Sequence, residues 1–138
     1  MKSSINTKWK GNMCFEAEIG GHKLMLDSDE ASGGSNLGPR PKPLMMAALA
    51  GCTGMDVVSI LKKMRVEFDE LNIRVEGETR DEHPKSFYKM KVIYEFKGKD
   101  LPLDKIQKAV NLSEVNYCGV RASYAPAMEL SSEIVIIS

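Results

Sequence analysis

The chain reads as one α+β domain spanning residues 1–138, and three features of its patterning lead to that class. Apolar and polar residues alternate on both sides of Gly20-Gly21. A proline-free, Ala- and Gly-rich stretch runs from Leu44 to Arg65. A second group of alternating segments follows it and ends in Ile134-Val135-Ile136-Ile137. Period two marks half-buried strands, and a long uninterrupted apolar stretch marks a helix. No repeat, heptad run or linker divides the chain into two cores.

Taken in order, Met13, Phe15, Ala17 and Ile19 alternate with Cys14, Glu16 and Glu18, which places Cys14 on the polar face of an early strand. Gly20-Gly21 suits a hairpin turn, with Lys23 to Leu26 returning. Asp27 to Pro43, ending in Gly38-Pro39-Arg40-Pro41-Lys42-Pro43, is a long loop of a kind that is often functional or mobile. The helix that follows closes on Lys62, Lys63 and Arg65, cations that complement its C-terminal dipole. Its first half is apolar on every side, so it belongs inside a core or an interface, and its small residues admit another backbone.

Leu71, Ile73 and Val75, then Tyr88, Met90, Val92, Tyr94 and Phe96, mark two more strands around an Asp81-Glu82-His83-Pro84 turn. Pro102 opens a second helix with Leu103, Ile106, Ala109, Val110 and Ser113 on one side. Gly119 to Tyr124 forms a short further helix. The final Ile-Val-Ile-Ile run reads as a strand covered on both faces.

Composition narrows the function. A chain of 138 residues buries roughly 70% of its unfolded surface, so it needs neither disulfides nor a structural metal to fold. Nineteen basic residues balance nineteen acidic ones, which removes the general field that draws a protein to nucleic acid or an anionic membrane. Met1-Lys2-Ser3-Ser4-Ile5 lacks the apolar run of a secretion signal. Leu44 to Leu61, interrupted by Cys52, Thr53, Asp56 and Ser59, falls short of the roughly 20 apolar residues of a membrane span. A cytoplasmic location is expected, where thiols stay reduced and the three cysteines are buried, catalytic or metal-bound rather than cross-linked.

Cys52 sits mid-helix on a face shared with Met45, Ala48, Asp56 and Ser59, a position that a core cysteine occupies as readily as a reactive one. Cys118 sits where the short helix begins, and a thiol there meets unpaired N–H groups that favour the thiolate and lower its pKa. Arg121, one turn on, adds positive charge. No Cys-x-x-Cys motif is present, His22 and His83 are isolated, and nothing has zinc-ligand spacing, so no metal is expected.

The loop Gly38-Pro39-Arg40-Pro41-Lys42-Pro43, the helix Leu44 to Cys52, Asp56-Val57-Val58 and the distant Tyr117-Cys118-Gly119-Val120 together resemble the OsmC/Ohr family, most closely its YhfA-like branch of small bacterial proteins. The resemblance covers nearly the whole chain. It implies antiparallel sheets around a central buried cysteine-bearing helix, an intertwined homodimer, no cofactor, and thiol-dependent reduction of organic hydroperoxides. By position Cys52 resembles the peroxidatic cysteine and Cys118 the resolving one, with an external dithiol as reductant. Arg40, Lys42, Met45, Met55, Tyr117 and Arg121 are candidates for the substrate pocket. Two departures stand out. Hydroperoxide-resistance members carry a Glu ten residues ahead of the helix cysteine, where this chain has Lys42, and an Arg in the N-terminal part, where it has none before Arg40. An alternative therefore stands beside the peroxidase: a redox or ligand-binding member of the family without hydroperoxide reductase activity. A third reading is an interaction protein with inert buried thiols.

Overall fold

A computed structural model describes residues 1–137 and has the order β1 (Asn6–Trp9), β2 (Phe15–Ile19), β3 (His22–Leu26), α1 (Pro41–Lys63), β4 (Glu70–Thr79), β5 (Phe87–Lys97), α2 (Leu103–Leu112), α3 (Gly119–Tyr124) and β6 (Glu129–Ile137). This is an α+β architecture. The residues gather into two compact units, 1–45 and 46 onward.

The first unit is an antiparallel sheet in the order β1-β2-β3. Ile19 pairs with His22 across Gly20 and Gly21, whose φ angles of 54° and 82° only glycine adopts without strain. β1 carries no buried residue, hence no apolar alternation to announce it. Cys14 departs from expectation: it is buried and lies outside β2. Its N–H donates to the Gly11 carbonyl and its own carbonyl accepts from Lys10, so a tight turn precedes the strand and turns the thiol inward.

The loop after β3 is held by its own hydrogen bonds. The buried Asp27 carboxylate accepts from the N–H groups of Ser28, Ser35 and Leu37 at 2.8, 3.2 and 3.1 Å. Those bonds, led by that from Leu37, hold its pKa below the ordinary 3.8. A depressed carboxylate stabilises the folded state above the unfolded value and loses that contribution as pH falls through the folded one. Asp27→Asn turns one acceptor into a donor facing N–H groups. Faster amide hydrogen exchange at Ser35 and Leu37 is expected, together with a weaker dependence of this unit's unfolding on pH below 3.8; unchanged exchange would show that the loop is held elsewhere.

α1 begins at Pro41 rather than Leu44. First-turn N–H groups have no helical partner, so prolines at 41 and 43 cost nothing there. Its end is a left-handed cap: Arg65 has φ 59°, and the Val66 N–H reaches back to the Leu61 carbonyl. Within the second unit Leu49, Thr53, Val57 and Leu61 form the buried stripe of the helix. A Cβ on Gly54 would press on Ile73 of β4. Within one chain, then, α1 is covered on one side only, and Met55 remains 76% exposed. By length and composition alone α1 is long and apolar enough to cross a membrane, with a mean hydropathy of 1.8. A helix packed into a protein core passes the same test, and the buried stripe of Leu49, Thr53, Val57 and Leu61 packs α1 within its unit.

The second sheet runs β4-β5-β6, with β5 antiparallel to β4 and parallel to β6. A parallel neighbour requires a crossover, which α2 and α3 supply. β5 is the strand buried most fully, through Phe87, Met90, Val92, Ile93, Tyr94 and Phe96. β6 is an edge strand rather than one covered on both faces, since Ile136 and Ile137 remain exposed. Its apolar run reflects the pairing with β5 and not two covering layers. α2 buries Ile106, Ala109 and Val110 as its periodicity requires, while Leu103 stays exposed. A π-helical turn, Ser113–Tyr117, then leads to Cys118.

Candidate functional site

Cys52 and Asp56 lie one turn apart on α1, so their side chains leave the same face. Cys118 is the N-cap of α3. It has extended backbone angles, and its Sγ accepts the Arg121 N–H at 3.3 Å. The fold brings the three together: the Cys52 and Cys118 sulfurs and an Asp56 carboxylate oxygen all lie within 4.8 Å of one another. Both cysteines are free thiols.

One polar contact holds this cluster, and a further set lies next to it. The Ser113 hydroxyl donates to Asp56 Oδ2 at 2.9 Å, tying the end of α2 to α1. Glu114 pairs with the Arg121 guanidinium at 3.8 Å and lies 3.5 Å from the Tyr94 hydroxyl. Arg121 Nη1 is buried and finds no hydrogen-bond partner among the described residues. Tyr94 is fully buried, with Thr53 as a further hydrogen-bond partner, and burial keeps its phenol protonated.

The electrostatics of Cys118 reverse the sequence expectation. Its thiol is only 3% exposed, and its pKa is pushed up from 9.0 to about 11. Burial is the largest cause. The Arg121 N–H acts in the lowering direction, as a helix N-terminus should, but the Cys52 side chain and the Asp56 charge act with burial. Desolvation of a thiolate outweighs one backbone donor. The Arg121 side chain meanwhile is engaged by Glu114 rather than the sulfur.

The other sequence candidates are spread more widely. Tyr117 joins Asp56, Ser59, Ile60, Lys63, Met64, Lys108 and Leu112 around a cleft of about 430 Å³, with mixed apolar and charged walls, that meets the cluster at Asp56. Met55 lines a different, more open groove with Val58, Phe68, Leu71 and Ile73. In the first unit, Arg40 donates to the Gly38 carbonyl and to Asn36 Oδ1, both at 2.8 Å, so it tethers its own loop. Lys42 and Met45 lie in the first turns of α1, where both make contacts of their own. Sequence reasoning passed over Ser113 and Glu114. Ser113 had a signal, being a polar residue on the apolar face of α2; Glu114 had none.

Residues 33–133 match the family described as OsmC-like protein. The chain belongs to the OsmC-like family. Among relatives of this OsmC-like chain is the protein YhfA of Escherichia coli K12, 27% identical over 132 residues, which cover 95% of this chain and 96% of YhfA. A crystal structure of a hypothetical protein from Aquifex aeolicus is 26% identical and covers both chains completely, with a TM-score of 0.84. The organic hydroperoxide resistance protein OhrB of Bacillus subtilis shares the fold at 21% identity, covering 97% of this chain and 98% of that one with a TM-score of 0.62. The OsmC-like chain thus carries its two helix-borne cysteines on a scaffold found in proteins of known structure.

Proposed function

We propose that the protein is a thiol peroxidase for organic hydroperoxides, with Cys52 as the peroxidatic cysteine and Cys118 as the resolving one. The observation that carries this reading is the approach of the two sulfurs to within 4.8 Å of each other. The Cys52 thiolate attacks the distal peroxide oxygen, the O–O bond breaks, and the alkoxide leaves to take a proton as the alcohol. Cys52 is then a sulfenic acid. Cys118 condenses with it, forming the disulfide and releasing water. Two electrons from an external dithiol return both thiols.

The placement of the two thiols supports this division of labour. Cys52 is the more accessible, as the sulfur that meets the peroxide must be, while Cys118 is buried within 4.8 Å of it, where it can reach the sulfenic acid. The cleft lined by Ile60, Met64, Leu112 and Tyr117, together with Asp56, Ser59, Lys63 and Lys108, reaches the sulfurs only through Asp56, and its apolar side chains offer room for an organic substituent there. The name of the Bacillus subtilis relative points the same way. The open apolar face of α1, with Met55 and Val58 exposed, supports a homodimer of single-domain subunits in which a second copy covers that helix. A cytoplasmic location fits a catalyst that depends on reducing thiols.

A second reading is favoured by Lys42 and by the Glu114–Arg121 pair, which engages the nearby guanidinium. It is an OsmC-like redox or ligand-binding protein without hydroperoxide reductase activity. One experiment separates the two. Reduced protein is treated with cumene hydroperoxide or with hydrogen peroxide, and its cysteines are mapped by mass spectrometry. A Cys52–Cys118 disulfide formed faster with the organic peroxide is the expected result. Persistent free thiols under both oxidants overturn the peroxidase reading in favour of the second.

A further inference from the structure

We infer that Cys52, Asp56 and Cys118 form a three-ligand site for a thiophilic divalent cation of the zinc class, in which the metal and the peroxide compete for the same sulfurs. Metal binding itself is independent of the peroxidase reading; only the competition rests on it.

The donor geometry comes first. Tetrahedral zinc with bonds of about 2.3 Å to sulfur and 2.1 Å to oxygen sets its ligand atoms roughly 3.6–3.8 Å apart. The three atoms here lie within 4.8 Å of one another, so closing on a cation brings each pair nearer by at most about 1.2 Å. Cys52 and Asp56 project from one face of α1, a helix of 23 residues, and Cys118 projects from the cap of α3. A cation that binds here displaces the two thiol protons, and the two thiolates and one carboxylate that result select the metal class. Magnesium and calcium take oxygen ligands almost exclusively, whereas thiolates favour zinc and its neighbours.

The outer contacts complete the argument. Protein ligands in metal sites are themselves hydrogen-bonded, and this fixes their direction. Here the Ser113 hydroxyl donates to Asp56 Oδ2 at 2.9 Å, and the Arg121 N–H donates to Cys118 Sγ at 3.3 Å. The nearby Arg121 charge is balanced by Glu114. With three protein ligands, the fourth tetrahedral position stays open to water or an external thiol, the pattern of an exchangeable site rather than a closed structural one. A cation there holds both sulfurs and withdraws them from oxidation, and its release restores the dithiol.

Cobalt(II) serves as the spectroscopic probe for zinc. Titrated into the reduced full-length protein, it is expected to bind one ion per chain and to give a thiolate-to-cobalt charge-transfer band with tetrahedral d–d bands, all displaced by zinc. Asp56→Asn keeps the side-chain volume and is expected to weaken binding more than tenfold. Ser113→Ala, which leaves every ligand in place, is expected to weaken it by about tenfold. Cys118→Ser is expected to abolish the tetrahedral spectrum. Absence of the charge-transfer band, or binding that Asp56→Asn and Cys118→Ser both leave unchanged, overturns the inference. Peroxide consumption by the metal-free protein is read in parallel, so loss of cobalt binding with intact peroxide turnover sinks the metal site alone.

Discussion

Cys52→Ser is expected to abolish hydroperoxide consumption, while Cys118→Ser is expected to consume one equivalent and stop with Cys52 as a sulfenic acid. The asymmetry follows from the proposed order of events: without the attacking sulfur no oxygen is transferred, whereas without the resolving sulfur the transfer occurs once and the intermediate has no partner. Serine is a favourable replacement at 118, because the residue is the N-cap of α3 and a hydroxyl accepts the Arg121 N–H as the sulfur does. The helix therefore survives the substitution, and a lost turnover is not a folding effect. Consumption is measured on pre-reduced protein freed of external dithiol, so that a sulfenic acid is not reduced as it forms, and the sulfenic acid is trapped with a dimedone-type reagent; dithiol is added only afterwards, to test for turnover. Sustained turnover by Cys52→Ser would falsify the assignment, and a trapped sulfenic acid on Cys118 in that variant would exchange the two roles.

Phe96→Ala carries the largest expected cost in stability. Phe96 lies on the central strand β5, is fully buried, and meets Phe68 edge to face with ring centroids 5.4 Å apart. Truncation removes the transfer free energy of the ring and leaves a cavity that a central strand does not readily collapse into. About 3–5 kcal/mol is expected, a large share of the 5–15 kcal/mol typical of a domain. Urea unfolding followed by circular dichroism measures it. Phe96→Leu is expected to lose distinctly less, since it retains most of the volume. A loss below about 1 kcal/mol for the alanine variant would show that the sheet repacks freely around this position.

Much of the fold was legible in the residues because it is local. Gly20-Gly21 admits the positive φ angles of a hairpin, and the proline-free stretch from Leu44 to Arg65 reads as one long helix, whose first turn the structure extends back to Pro41. The boundaries of α3 follow from Cys118-Gly119 at one end and Pro126 near the other. What escaped was set by contacts distant in sequence. β1 has no buried side chain and exists by pairing with β2. β6 gained a parallel neighbour that no turn residue could announce. Alternation places Cys14 on a polar face only if the strand is carried back from Phe15 to Met13, across the turn from Lys10 that ends it.

The candidate site divides along the same line. By itself the sequence determined which atoms carry reactivity: two thiols, one in a long apolar helix and one at a helix start, with Asp56 a turn from the first and Arg121 a turn from the second. Their types and local spacings are properties of single segments. Only the tertiary structure decided that the sulfurs meet, that Ser113 holds Asp56 toward them, and that Glu114 rather than a thiolate engages Arg121. It also decided the state of Cys118, which local geometry places on the thiolate side and burial returns to the thiol. The reason is physical: helix dipoles and capping bonds act within a turn, whereas desolvation is the sum of everything the rest of the chain packs around an atom.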